Sequence, residues 1–198
     1  NERLTEEEKS LISNILKFFT QGDVDIAQAY LDRYIPKFKP PEVRMMLTSF
    51  ANSEANHAHS YSLLNDTIGE TQLTDYKAFQ EYKEMSDKHA YLFKSKGTGT
   101  EVLIRDIDCF SAFVEGLLLF ASFVMLLNFQ RFGRMKGMCQ IVTWSIRDET
   151  HHVEGMIKLF HTLIKENPEV WTEKFKAEIY QTAREMEDLE DKFIDLAF

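Results

Sequence analysis

Cys109 to Phe129 is an unbroken apolar run of 21 residues, CFSAFVEGLLLFASFVMLLNF, with a single charged residue, Glu115, near its middle. By length alone such a run could cross a bilayer. Three features argue otherwise: it is the only run of its kind, charged residues crowd both of its ends, and a central carboxylate costs about 2.5–3.5 kcal/mol on an insertion scale. The run therefore reads as the central helix of a bundle, surrounded on all sides, and no membrane association is expected. A carboxylate at the middle of a buried helix then needs a reason.

The rest of the chain is consistent with such a bundle. Thr5 and Glu8 have the spacing of a capping box opening a first helix that runs to about Tyr34, loosened at Gly22. Pro36, Pro40 and Pro41 end it and start a second, which stops at Gly69. A polar helix over about 73–94, the apolar helix over about 101–129, a helix over about 134–165 and a last one opened by Asn167-Pro168 and running to about 196 follow. No stretch alternates with the period of a strand. The expectation is an all-α fold in one domain, 1–198. With 44% hydrophobic and 13% aromatic residues it can bury a core. A net charge of −9 opposes nucleic-acid binding. Cys109 and Cys139 are isolated, which suits neither a disulfide scaffold nor a zinc ribbon, and NERLTEEEKS is no secretory signal, so a reducing cytoplasm is expected.

At about 100° per residue, helical spacing shows which charged side chains face the core. Glu149 lies among Met138, Val142, Ile146, Val153, Met156 and Phe160, with His152 on the same face and His151 on the opposite one. Glu54 lies among Val43, Leu47, Phe50, Ala51 and Ala58, and shares its face with His57 at i+3 and Tyr61 at i+7, but not with His59. Glu115 has Ile104, Leu118, Leu119 and Leu126 beside it. In the first helix Asp23 sits with Ile12, Leu16, Phe19, Ile26, Ala27 and Tyr30, while Asp25 points away as a solvated charge.

One E-x-x-H pair is ordinarily a partly exposed ion pair. Two such pairs on apolar faces, with one acid from each of two further helices, are a different case. Four carboxylates and two imidazoles cannot share a core without compensating positive charge, and no set of core lysines or arginines supplies it. A dinuclear metal centre does, in the inward-facing carboxylate arrangement of ferritin-like bundles. Oxygen and imidazole donors without thiolate favour Fe or Mn over structural zinc and do not choose between them. Asp148 could accept the outer N–H of a ligating histidine or pair with Arg147. His59, His89, His151 and His161 are not expected as ligands.

The segments SFANSEANHAHSY, FVEGLLLFASF and SIRDETHH, in this order and at these separations, resemble the small (β, or R2) subunit of class I ribonucleotide reductase, and the resemblance covers essentially the whole chain. It implies a di-iron or dimanganese site on Asp23, Glu54, His57, Glu115, Glu149 and His152, a radical-bearing tyrosine at Tyr61, and Asp148 in the path of coupled electron and proton transfer. It also implies a homodimer that works with a separate large (α) subunit, where ribonucleotides are reduced. The N-terminal segment with a tryptophan of the electron path and the C-terminal docking tail are expected beyond these residues; Trp144 and Trp171 do not stand in that tryptophan's place. Two other roles use a similar frame: an R2-like ligand-binding oxidase with an apolar channel beside the metals, and a ferritin-like storage protein, which needs no buried tyrosine.

Overall fold

The computed structural model describes residues 4–69, 83–92 and 99–197. Helix α1 (Glu6–Ala29) opens on a reciprocal capping box: the Glu8 N–H donates to Thr5 Oγ1 at 3.2 Å and the Thr5 N–H to Glu8 Oε2 at 2.9 Å. It passes through Gly22 without interruption, because buried Phe18, Phe19 and Ile26 anchor the helix on both sides and outweigh the roughly 1 kcal/mol that glycine costs. The irregularity comes later, as a π-helical turn at Tyr30–Tyr34 and a 3-10 turn at Ile35–Lys37, where Pro36 cannot donate to the α ladder. Helix α2 (Pro41–Ile68) starts at a proline, whose missing N–H costs nothing in the first turn, and ends at Gly69 with φ +93°.

Helix α3 spans Lys83–Leu92, and the remainder of the polar helix expected over 73–94 lies outside the described residues. The apolar run forms α4 (Thr100–Asp108), a ten-residue π-helical segment (Cys109–Leu118) and α5 (Phe120–Leu127), then a 3-10 stretch that ends at Gly133 with φ +69°. Helix α6 is Lys136–Glu166. Asn167-Pro168 opens only a 3-10 turn, and the last helix, α7 (Glu173–Ala197), starts beyond it, where Thr172 Oγ1 accepts the Phe175 N–H at 3.1 Å. A threonine offers a cap oxygen that neither residue of the Asn-Pro pair supplies here. No strand occurs among the described residues. The fold is all-α and ferritin-like.

α1 and α2 form the most extensive helix pair, and α6 and α7 pack on the π-helical segment. The apolar side chains form two clusters. One holds Ile26, Tyr30, Leu47, Phe50, Val114, Leu118, Met156 and Phe175; the other holds Ile12, Leu16, Phe19, Tyr61, Phe123, Leu126, Val142 and Phe193. α1, α2, α6 and α7 contribute to both, so each passes from one apolar cluster to the other; α1, α2, α6 and the π-helical segment carry the buried acids Asp23, Glu54, Glu149 and Glu115. The continuous helical run Thr100–Phe132 is, among the described residues, the one long and apolar enough to cross a membrane by length and composition. One side of it is core, with Ile104, Ile107, Val114, Leu118, Phe123 and Leu126 buried. It is not surrounded on all sides as expected: the described helices cover one side, and Leu117 and Val124 remain exposed on the other.

Candidate metal centre

The structure brings all six expected side chains to the layer between the two apolar clusters. Asp23 comes from α1, Glu54 and His57 from α2, Glu115 from the π-helical segment, and Glu149 and His152 from α6, and none is more than 6% exposed. They form two overlapping groups, Glu54–Glu115–Glu149–His152 and Asp23–Glu54–His57, in each of which one donor atom per residue lies within 4.8 Å of the others. Glu54 belongs to both. Glu115 stands on π-helical backbone, an irregularity that concentrates at functional sites.

The donor atoms converge without satisfying one another. His152 Nδ1 is 2.8 Å from Glu54 Oε1 and 3.3 Å from Glu149 Oε2, and His57 Nδ1 is 3.2 Å from Glu149 Oε1. Yet both Nδ1 atoms, both Glu54 oxygens, Asp23 Oδ2, Glu115 Oε2 and Glu149 Oε2 are buried without a hydrogen bond of proper geometry. Buried polar atoms are almost always partnered, so orphans gathered at one place mark a site for something else. No lysine or arginine is buried among the described residues. Four carboxylates and two imidazoles aimed at a common layer fit a dinuclear site for hard or borderline divalent metals.

The electrostatics of the protein alone show the same strain. Burial drives the Asp23 carboxyl well above its usual range, helped by the nearby Glu54 charge, and raises Glu115 to about 8. Burial opposes protonation of His57 and His152, but the carboxylates close to their rings override it: Glu149 and Glu54 raise His57 to about 11, and Glu115, Glu149 and Glu54 raise His152 to about 12. Burial also opposes ionisation of Glu54, and its two histidine partners still pull it below its usual value. Without metal, the histidines act as the counterions.

Around this cluster a second set of contacts fixes the donors. His57 Nε2 is 3.3 Å from Asp148 Oδ2, while Arg147 Nη2 donates to Asp148 Oδ1 at 3.0 Å, so Asp148 makes both contacts considered from its sequence position. An outer partner of this kind turns the other ring nitrogen, Nδ1, toward the cluster. Burial opposes ionisation of Asp148, but Arg147 and His57 hold it below the usual carboxylate range. The Tyr61 ring is 1% exposed, sits in one apolar cluster with Leu119 and Phe123, and lies 5.1 Å from the Phe19 ring. Burial and the charge of Asp23 push its hydroxyl well above the ordinary phenol value.

Two residues outside the expected set bond to members of it, Tyr30 to a cluster acid and Ser145 to Tyr61. Tyr30 donates to Glu115 Oε1 at 2.6 Å, and Tyr61 donates to Ser145 Oγ at 2.6 Å rather than to a cluster carboxylate. Both were within reach of the face test, since Tyr30 follows Asp23 by seven residues and Ser145 precedes Glu149 by four. His59, His151 and His161 are exposed and outside the cluster, and the His89 side chain lies outside the described residues. Asp25 is partly buried rather than fully solvated, because Gln21 donates to it at 2.9 Å.

Over residues 1–198 the chain matches the family described as ribonucleotide reductase, small chain. The chain belongs to that family. Among small-chain relatives, it is 47% identical to the probable ribonucleoside-diphosphate reductase small subunit of Invertebrate iridescent virus 3, over 99% of this chain and 56% of the relative. The corresponding protein of Invertebrate iridescent virus 6 is 45% identical, over 99% of this chain and 59% of the relative. The chain thus spans a little over half the length of these viral small chains. A crystal structure of a putative class I ribonucleotide reductase from Bacillus halodurans superposes with a TM-score of 0.86 at 20% identity, over 98% of this chain and 71% of that one, which shows the shared fold.

Proposed function

We propose that this chain is the radical-generating part of a class I ribonucleotide reductase small subunit, with Asp23, Glu54, His57, Glu115, Glu149 and His152 as ligands of an Fe or Mn pair. The observation that carries this reading is the set of orphaned donor atoms on these six residues, with Tyr61 packed beside His57 in an apolar cluster. When bound, such a metal pair supplies, with O₂ or an oxidant derived from it, the power to remove one electron from a phenol.

The chain's own residues do the rest. Glu54 belongs to both groups of donors and would contribute to holding metal in each. Tyr30 engages one oxygen of Glu115 and leaves the other facing the cluster. Asp148 orients His57 and would stand on the route by which an electron and a proton pass between the centre and the surface. The apolar wall of Phe19, Leu119 and Phe123 excludes water and reductants from Tyr61, which gives a radical there a long life. Nucleotide reduction itself would take place on a separate large subunit. The working unit would be a cytoplasmic homodimer in which residues 1–198 form one helical domain.

The test is electron paramagnetic resonance after metal loading and oxidation, with metal analysis, on the wild type and on Tyr61→Phe. The expected result is a tyrosyl signal in the wild type that disappears in the variant at unchanged metal content. Two bound ions without a tyrosyl signal would transfer the reading to a metal-stored oxidant or a ligand-binding oxidase. Loading far beyond two ions per chain would indicate storage.

A further inference from the structure

The two histidines of the cluster are held by different means. His57 meets Asp148 through Nε2 at 3.3 Å and keeps Nδ1 toward Glu54 and Glu149. Every polar contact of His152 among the described residues is made through Nδ1, to Glu54, Glu149 and Glu115. A ligating histidine commonly fixes its ring by giving the outer N–H to a carboxylate or carbonyl, and the torsion that turns the ring is otherwise soft. Aromatic rings meet His152 instead. The Phe50 ring lies 4.4 Å away between centroids, tilted by 40°, and the Tyr30 ring stands edge-on at 6.4 Å and 79°. Phe50 and Tyr30 are themselves edge to face at 5.9 Å, so the three rings brace one another.

Phe50 can stand there because of Gly155. This glycine follows His152 by three residues and shares its face of α6. A Cβ on it would be 2.7 Å from Phe50 Cζ and 3.1 Å from Phe50 Cε2. We infer that Phe50 is the positioning residue of His152: lodged in the space that Gly155 leaves, its ring fixes the imidazole in the orientation that aims Nδ1 at Glu54, Glu115 and Glu149, the task that Asp148 performs at His57. The inference rests on the reading of His152 as a metal ligand. It goes beyond that reading by assigning the hold on this ligand to packing rather than to a hydrogen bond, so the two histidines answer to different substitutions.

The experiment uses the full chain with ¹³C in its histidine rings, their signals assigned through His57→Gln and His152→Gln. Carbon relaxation in the metal-free chain reports how freely each ring moves, and Mn(II) titration calorimetry follows. Phe50→Met is a nearly volume-conserving apolar exchange that replaces a rigid flat ring by a flexible chain. It is expected to loosen the His152 ring, leave the His57 ring as it was, and weaken one Mn(II) binding step by about tenfold to a hundredfold, the effect of losing an outer partner. Asp148→Ala should do the converse, loosening His57 and leaving His152 ordered. Phe175→Met, the same exchange in the same apolar cluster at a ring that packs on Trp171, should loosen neither, a contrast that a general loss of packing would not produce. An unchanged His152 ring in Phe50→Met, or equal loosening in Phe175→Met, would overturn the inference. Because ring motion is read without metal, a wild type that binds no Mn(II) would remove the ligand reading, and the relaxation data would still decide the role of Phe50.

Discussion

Tyr30 and Tyr61 each follow an acid of the cluster by seven residues on the same helix, and their hydroxyls go to different places. Tyr30 donates to Glu115, and Tyr61 to Ser145. Tyr30→Phe leaves a buried carboxylate oxygen without its donor, a loss of roughly 1–3 kcal/mol in stability. An outer contact of this type also sets metal affinity, by about tenfold to a hundredfold. Thermal melts and Mn(II) titration calorimetry on Tyr30→Phe are expected to show both losses, and unchanged Mn(II) affinity would mean that Glu115 is not a ligand held by Tyr30. The six acids and histidines were legible from the sequence because burial on one helix face leaves a periodic trace. The hydroxyl partners were not, because the residues they join are 85 and 84 positions apart and depend on how different helices meet.

At the level of helices, the crossing of α2 and α6 leaves no room beside Gly155. A Cβ there would stand 2.7 Å from Phe50 Cζ and 3.2 Å from Met46 Sδ. The Phe50 ring cannot withdraw freely, since its centroid is 4.4 Å from that of His152 and 5.9 Å from that of Tyr30. Gly155→Ala gains up to about 1 kcal/mol of helix propensity and incurs about 1–3 kcal/mol of overpacking. The expected outcome is a lower melting temperature with a disturbed His152 environment, seen as a shift of its ring signals in nuclear magnetic resonance. The start of α1 is held differently, by Arg134 Nη1 and Nη2 on Glu8 Oε1 and Oε2 at 2.5 and 2.7 Å. That pairing, with the Thr5 N–H, holds the Glu8 carboxyl below its ordinary value of 4.5. A carboxylate with a lowered folded-state value adds stability that is complete above its unfolded value and is lost as pH falls through the folded one. The melting-temperature gap between wild type and Glu8→Gln should therefore be constant above about pH 5 and close below 4.5. Helix α1 and the stop at Gly69 were legible from capping and turn chemistry. The π-helical stretch through Glu115 was not, because a widened helix leaves no mark on a run that is apolar at nearly every position.

Across the molecule, the two apolar clusters flank the charged layer, and α1, α2, α6 and α7 belong to both. Charge is the weak point of this arrangement, and bound metal relieves it. At a thousandfold excess over the dissociation constant a ligand specific for the folded state adds about 4 kcal/mol. Mn(II) or anaerobic Fe(II) should accordingly raise the melting temperature by several degrees, and a chelator should reverse the gain. The shared position of Glu54 makes this rise divisible: Glu54→Ala should lose both ions by metal analysis, whereas Asp23→Ala should keep one in the Glu115–Glu149–His152 group. Equal losses in the two variants would contradict the overlap of the groups. The clusters also bear on timing inside a living cell. Because each is built from nearly the same set of helices, the scaffold's apolar contacts do not themselves require an ion. Newly made chains are then expected to fold ahead of the metal, and cleavage of metal-depleted and metal-loaded chains at equal rates in limited proteolysis would check that order.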